Sequence, residues 1–336
     1  MELAGHDHQP GEVTLAMILV TGGTGFIGQA LIRHLVEDGK QVRTLIRPSA
    51  HTPELPLGVP VAASISSISD ERSLRAAMVG IDTVFHLVGG EWYGASGDLH
   101  EIEIVGTQTL VKVAQDAGVK RLFYLSHLGA DRASAYAMLK AKGIAEEHIR
   151  RSGIDYTIIR SALVFGPDDN FTTVLARLFH FFPFLFPTPG EGDSLLQPIR
   201  VEDLVTCLAW SLENDKTIGQ TYQVGGPEYL SIDDVVVEVM HALGLNRTLL
   251  SMRPAYMRIG GIILEYLFPR LPISVHWLDY LAAHRTCAID SLPRDFGVMP
   301  ALFSHNLDYL KETNWRRALL RDLFIRPRPG PGVPRK

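Results

Sequence analysis

Met17-Ile18-Leu19-Val20 is an unbroken apolar run, the pattern of a parallel strand covered by helices on both faces. The glycine-punctuated stretch Thr21-Gly22-Gly23-Thr24-Gly25-Phe26-Ile27-Gly28 follows it directly. A helix is predicted next, with Phe26, Ile27, Ala30, Leu31, Leu35 and Val36 on its apolar face and Gly39 at the C-cap. Gln41 to Ile46 then reads as a second strand. Prolines between Pro48 and Pro60 mark a loop before a short strand near Val59 to Ala63, and a helix runs from Asp70 to Val79. Asp82 to Val88 is the next buried strand, with Gly89-Gly90 as its exit. Helices from Leu99 to Ala117 and from Ser134 to Arg151 alternate with strands Arg121 to Ser126 and Tyr156 to Arg160. This alternation predicts an α/β fold built on a doubly wound parallel sheet.

Beyond Gly166-Pro167 the pattern changes. Val174 to Phe186 is strongly apolar but is interrupted by Arg177, His180 and Pro183, so it is too broken to span a bilayer. It reads as the wall of a substrate pocket or as a surface that meets lipid or a lipophilic substrate. A helix from Glu202 to Leu212, a strand Thr221 to Val224 and a helix from an N-capping Ser231 to Leu243 follow. Arg253 to Trp277 is a second apolar, proline-broken region. The resulting domain reading is a flexible leader over 1–16 and a nucleotide-binding domain over 17–228, with part of the substrate lobe inserted around 167–200. A smaller, mostly helical C-terminal substrate part covers 229–325, and a disordered basic tail covers 326–336.

Composition narrows the function classes. Thirty-seven acidic against 32 basic residues give a formal charge of −5, with no basic footprint for nucleic acid. Two cysteines, Cys207 and Cys287, exclude a disulfide scaffold and suit a reducing, cytoplasmic setting. Thirteen histidines without regular spacing offer no metal site.

The chemistry begins at the glycines. With this spacing Gly22, Gly25 and Gly28 allow a tight turn, a bare-backbone approach to a pyrophosphate and close helix packing. Thr24, Phe26 and Ile27 complete that turn, and the helix N-terminus offers amides to phosphate. Leu87, Val88 and Gly89, at a strand's carboxyl end, should border the same cofactor. Arg43 and Arg47 occupy the region where an NAD site carries an acid, so NADP(H) is favoured over NAD(H). His86, inside a buried strand, reads as a core histidine with satisfied hydrogen bonds. Tyr136 and Lys140, at i and i+4, share a helix face, where an ammonium would lower the phenol pKa from its usual ~10. They open the helix that follows a strand ending in Ser126.

Together, Thr21-Gly22-x-x-Gly25-x-x-Gly28, His86-Leu87-Val88-Gly89, Tyr136-x-x-x-Lys140 and Arg160-x-x-x-Val164-Phe165-Gly166-Pro167 resemble the short-chain dehydrogenase/reductase superfamily with its Rossmann fold. Tyr124 to Ala130 and Gln197-Pro198-Ile199-x-Val201-x-Asp203 look like the atypical branch. That branch holds the NmrA-like proteins and the nucleotide-binding accessory subunit of respiratory complex I. The resemblance implies Tyr136 as acid/base, Lys140 as its modulator and ribose ligand, and Ser126 as holder of the substrate oxygen. The chain departs from the family pattern at His127-Leu128, at Glu103 in place of an asparagine, at Arg160-Ser161, and around Ser66-Ser67.

Two function classes follow. One is an oxidoreductase or epimerase acting on a small apolar carbonyl or alcohol. The other is a nucleotide-binding structural or redox-sensing subunit without turnover, in peripheral contact with a membrane or respiratory complex. Glu103 and the position of Ser126 favour the second, and the Tyr136/Lys140 pair favours the first. Substrate identity and oligomeric state are not legible.

Overall fold

The computed structural model describes residues 17–48, 55–90, 98–190, 194–267 and 284–324. β1 (Met17–Thr21) is flanked on one side by β2 (Gln41–Ile46) and on the other by β4 (Ile81–His86), both parallel to it. β3 (Ala62–Ile65) lies outside β2, while β5 (Arg121–His127), β6 (Asp155–Ser161) and β11 (Gln220–Val224) extend the sheet beyond β4. The order is β11-β6-β5-β4-β1-β2-β3, seven strands, all parallel. Strand order reverses between β1 and β4, and a crevice opens there at the carboxyl ends. The doubly wound reading therefore holds.

Apolar side chains cover both faces of the sheet. α1 (Phe26–Glu37) and α6 (Val201–Leu212) cover one face with Leu31, Ile32, Leu35, Leu204 and Leu208. α2 (Glu71–Ala77), α3 (Gly106–Asp116) and α4 (Ala137–Arg150) cover the other with Leu74, Leu110, Ala145 and Ile149. Burial on both faces explains the continuous apolar runs of the central strands.

Three local departures from the pattern have physical causes. β3 starts at Ala62, later than Val59, because Pro60 has no N–H for the ladder. The helix expected from Leu99 opens with a wide π turn, His100–Val105, before α3. This turn carries Glu103 fully inward. α4 starts at Ala137 rather than Ser134, because Asp131 takes the amides of Ala133 and Ser134 into a preceding turn. Tyr136 is left as an extended N-cap.

A second core lies beside the sheet. β7 (Val164–Phe165) pairs with β10 (Ile199–Arg200), β9 (Leu195–Leu196) with β12 (Leu230–Ser231), and β8 (Leu185–Pro189) with β13 (Thr248–Met252). α5 (Thr172–Phe181), α7 (Ile232–Ala242) and α10 (Trp315–Phe324) pack Leu175, Phe179, Val235, Val239 and Trp315 together. α7 starts with the anticipated Ser231 cap, in a reciprocal capping box with Asp234. α8 (Pro254–Leu267) covers part of the second apolar region, and α9 (Ser291–Phe296) packs near β11. The leader, the tail and the rest of that apolar region, 268–277, lie outside the described residues.

Candidate functional site

The first wall of the crevice is the glycine turn. Gly22 adopts φ +78°, and the amide of Gly25 donates to its carbonyl at 3.0 Å. A Cβ at Gly22 would meet the Leu87 backbone at 2.9 Å, and one at Gly28 would collide with the Gly22 carbonyl. Those two glycines are required by the fold itself. Gly25 differs. It is exposed, and a Cβ there would meet only the Gly22 carbonyl, at 3.2 Å. The free space is where a pyrophosphate would approach bare backbone. Gly25 brings no side chain to cap α1, so the first-turn amides of Phe26, Ile27 and Gly28 keep their donors for a ligand. Gln29 steadies the turn from behind by donating to the Thr24 carbonyl at 3.2 Å.

The second wall is the exit of β4. Thr21, His86 and Thr107 form a buried chain: Thr21 Oγ1 lies 2.8 Å from His86 Nδ1, and His86 Nε2 lies 3.0 Å from Thr107 Oγ1. The Thr107 hydroxyl donates its proton to the Glu103 carbonyl at 2.6 Å, so it must accept from His86. Nε2 therefore carries the imidazole proton and Nδ1 accepts from Thr21. Burial, helped by the nearby Lys142 charge, pushes the His86 pKa down to about 3. His86 is the core histidine its strand pattern suggests.

Leu87, Val88 and Gly89 lead out of this strand at half-buried positions, and the next residue, Gly90, donates its amide to Glu103 Oε1 at 2.7 Å. The other oxygen of Glu103 pairs with Lys142 Nζ at 3.1 Å. Lys142 also donates to the carbonyls of Val88 and Leu125, both at 3.4 Å, and lies over the Tyr124 ring. The Lys142 side chain is 3% exposed and that of Glu103 0%. A buried ion pair thus ties together the ends of β4, β5 and α4. Tyr124 is also in reach, its hydroxyl 3.5 Å from Glu103, but burial raises its phenol pKa far above the usual range.

Lys140 stands elsewhere. It is exposed, joined to the half-buried Tyr136 through the helical backbone bond at 3.0 Å. Lys142 is two positions further on, about 200° around the helix, so the two ammonium groups leave α4 on opposite sides. One turn before Lys142 the helix carries Met138, which is buried. Ser126 is fully buried, and its hydroxyl donates to Glu146 Oε1 at 2.6 Å. Arg150 and Arg160 hold the same carboxylate. Burial opposes charge on Glu146, yet hydrogen bonds from Arg160 and Ser126 outweigh it and keep the carboxyl below its usual range.

The two arginines of β2 part company as well. Arg43 donates to the carbonyls of Ala77 at 2.7 Å and Val79 at 2.8 Å, at the end of α2. α2 leads into the start of β4, so this guanidinium lies at the amino edge of the sheet, opposite the crevice. Arg47, just past β2 on the carboxyl side, is exposed. Among the described residues no cluster of histidine, cysteine or carboxylate suits a metal ion.

In sequence Lys142 is overshadowed by Lys140, which has a tyrosine at i−4 where Lys142 has Met138. A signal existed: Met138, Ala141, Ala145 and Ile149 form the buried stripe of α4, and Lys142 and Glu146 fall on that stripe as charged residues.

Comparison with known proteins matches this architecture. Residues 22–175 fit the family model described as NAD(P)H-binding. The chain is 30% identical over 229 residues to the mitochondrial NADH dehydrogenase [ubiquinone] 1 alpha subcomplex subunit 9 of Arabidopsis thaliana. That match takes in 66% of this chain and 56% of the relative, so the chain spans little more than half of the relative's length. It is 28% identical over 321 residues to 2-alkyl-3-oxoalkanoate reductase of Stenotrophomonas maltophilia, covering 84% of this chain and 94% of the reductase. The solved UDP-glucose 4-epimerase of Thermus thermophilus, a complex with NAD, superposes with a TM-score of 0.66 at 20% identity, over 90% of this chain and 99% of that one. At that identity the likeness is one of fold.

Proposed function

We propose that this chain, which carries an NAD(P)H-binding domain over residues 22–175 and resembles reductases and a complex I subunit, holds NAD(P)(H) at the crevice as a structural or redox-sensing nucleotide protein. In this reading the pyrophosphate lies on Gly25 and the first amides of α1. The nicotinamide side borders Leu87 to Gly89, and Lys142 is the lysine that faces the ribose. Arg47, just past β2, would meet a 2′-phosphate, which would favour NADP(H).

The observation that carries this reading is that no phenol stands one turn before the buried lysine on α4, while the phenol that does lie beside it, Tyr124 of β5, is fully buried and held in its protonated form. A tyrosine serves as an acid/base when an ammonium one turn away stabilises its anion. The residue one turn before Lys142 is Met138, and the lysine one turn after Tyr136 is out in solvent. Ser126, whose hydroxyl is engaged by Glu146, is not free to hold a substrate oxygen.

A reductase of a small apolar carbonyl is the second reading. It is favoured by the nearly full-length likeness to 2-alkyl-3-oxoalkanoate reductase. In that case Tyr136, at the head of α4, gives the proton. Mixing NADPH-loaded protein with a panel of aliphatic ketones and oxoacids and following nucleotide absorbance separates the two. The first reading predicts no oxidation above the protein-free rate, in the parent and in Tyr136→Phe alike. Oxidation that falls about 10² to 10⁴-fold in Tyr136→Phe would establish the second.

A further inference from the structure

α8 is apolar on two sides. Met257, Gly261 and Leu264 face inward, and Met257 and Leu264 pack on the second core. Ile259, Ile262, Ile263 and Tyr266 recur at i, i+3, i+4 and i+7 on the opposite side, exposed by 55%, 49%, 51% and 85%. A helix that is apolar all round belongs in a buried place, yet this one has its outer stripe uncovered by the described residues. Phe184, just before β8, and Leu250 of β13 are further exposed apolar residues at the β8–β13 ribbon that α8 contacts.

Charge identifies the occupant. Residues 245–267 carry Arg247, Arg253 and Arg258 against a single acid, Glu265, which is buried. α10 adds the exposed Arg316, Arg317 and Arg321. Burial first, and then the charges of Arg247 and Arg316, depress the His180 imidazole pKa, so these two arginines meet near the end of α5. The whole chain, in contrast, is net acidic at −5. Tyrosines and arginines beside an isoleucine stripe are the pattern of a helix lying in a lipid headgroup layer. With 14 residues α8 is about 21 Å long, too short to cross the ~30 Å hydrocarbon core, and no described helix is long and apolar enough to do so.

We propose that the outer face of α8, with the adjoining ribbon, docks on an anionic lipid bilayer, the isoleucines entering the acyl boundary and the arginines meeting the headgroups. The inference stands apart from the nucleotide reading, because neither α8 nor the ribbon lines the crevice.

Vesicle flotation tests it, with phosphatidylcholine alone and with phosphatidylcholine mixed with phosphatidylglycerol. The full chain should float with the mixed vesicles, stay behind with the neutral ones, and be released as salt is raised. Ile259→Ser combined with Ile263→Ser should lower partitioning about 10²-fold. NADPH titration of the same variant, unchanged from the parent, shows that it is folded. Flotation of the variant equal to the parent's would overturn the proposal, as would failure of the parent to float with the mixed vesicles. So would self-association that the double variant abolishes while neither protein binds lipid, since the occupant would then be a second copy of the chain.

Discussion

Gly25 and Gly28 look alike in sequence but obey different constraints. Gly28 is forced by the Gly22 carbonyl, whereas at Gly25 the fold alone opposes a larger residue with a single close contact, 3.2 Å to that carbonyl. Gly25→Val should therefore fold with a thermal midpoint close to the parent's and lose NADPH binding in calorimetric titration; retained binding would place the nucleotide elsewhere. Arg43 and Arg47 divide in the same way. Arg43→Ala removes two charge-assisted bonds to the end of α2 and should cost roughly 1–3 kcal/mol in denaturant unfolding, with no change in the NADPH to NADH affinity ratio. Arg47→Ala should lower that ratio. His86 adds a pH dependence. Its folded pKa of about 3 lies below the ordinary value of 6.5, so the unfolded chain binds the proton first as pH falls. The stability that neutral His86 contributes is complete above pH 6.5 and is lost progressively toward pH 3, with a slope of up to about 1.4 kcal/mol per pH unit. Unfolding measured across that window should show the slope, and His86→Gln should flatten it.

Among the elements, those defined by period were legible and those defined by a side chain's partner were not. The buried strands and α1, α6 and α7 follow from apolar spacing and caps, and His86 was legible because an apolar strand surrounds it. The start of α4 was less so, because Asp131 takes the amides before it, that of Ala133 with its carboxylate and that of Ser134 with its backbone carbonyl. Tyr136 becomes an extended cap, Lys140 faces solvent and Lys142 turns inward. The wide turn before α3 has the same character: Glu103 in sequence is a substitution for a polar residue, and in the fold it is the buried partner of Lys142 and Gly90. Arg43 illustrates the limit most simply, since a strand residue's place along the sheet edge depends on where a distant helix ends. The Glu103–Lys142 pair also carries a prediction. Glu103→Gln alone leaves a buried ammonium without its counter-charge and should destabilise the fold by about 3–5 kcal/mol in denaturant unfolding, whereas pairing it with Lys142→Met should restore most of the loss.

At the scale of the molecule, the parallel seven-stranded sheet presents one crevice at its topological switch point, and the second core sets an apolar, arginine-flanked helix away from it. In the proposed function the nucleotide is gripped in that crevice through the glycine turn and Lys142, and Tyr136 with Lys140 is not the working pair. Calorimetric titration of NADPH into Lys140→Met and into Lys142→Met combined with Glu103→Gln tests this directly, the second change sparing the variant a buried unpaired charge. The account predicts parental affinity in Lys140→Met and a loss of about 10- to 10²-fold in the double variant, the size of a lost charge-assisted hydrogen bond. Weakened binding in Lys140→Met with parental affinity in the double variant would contradict it.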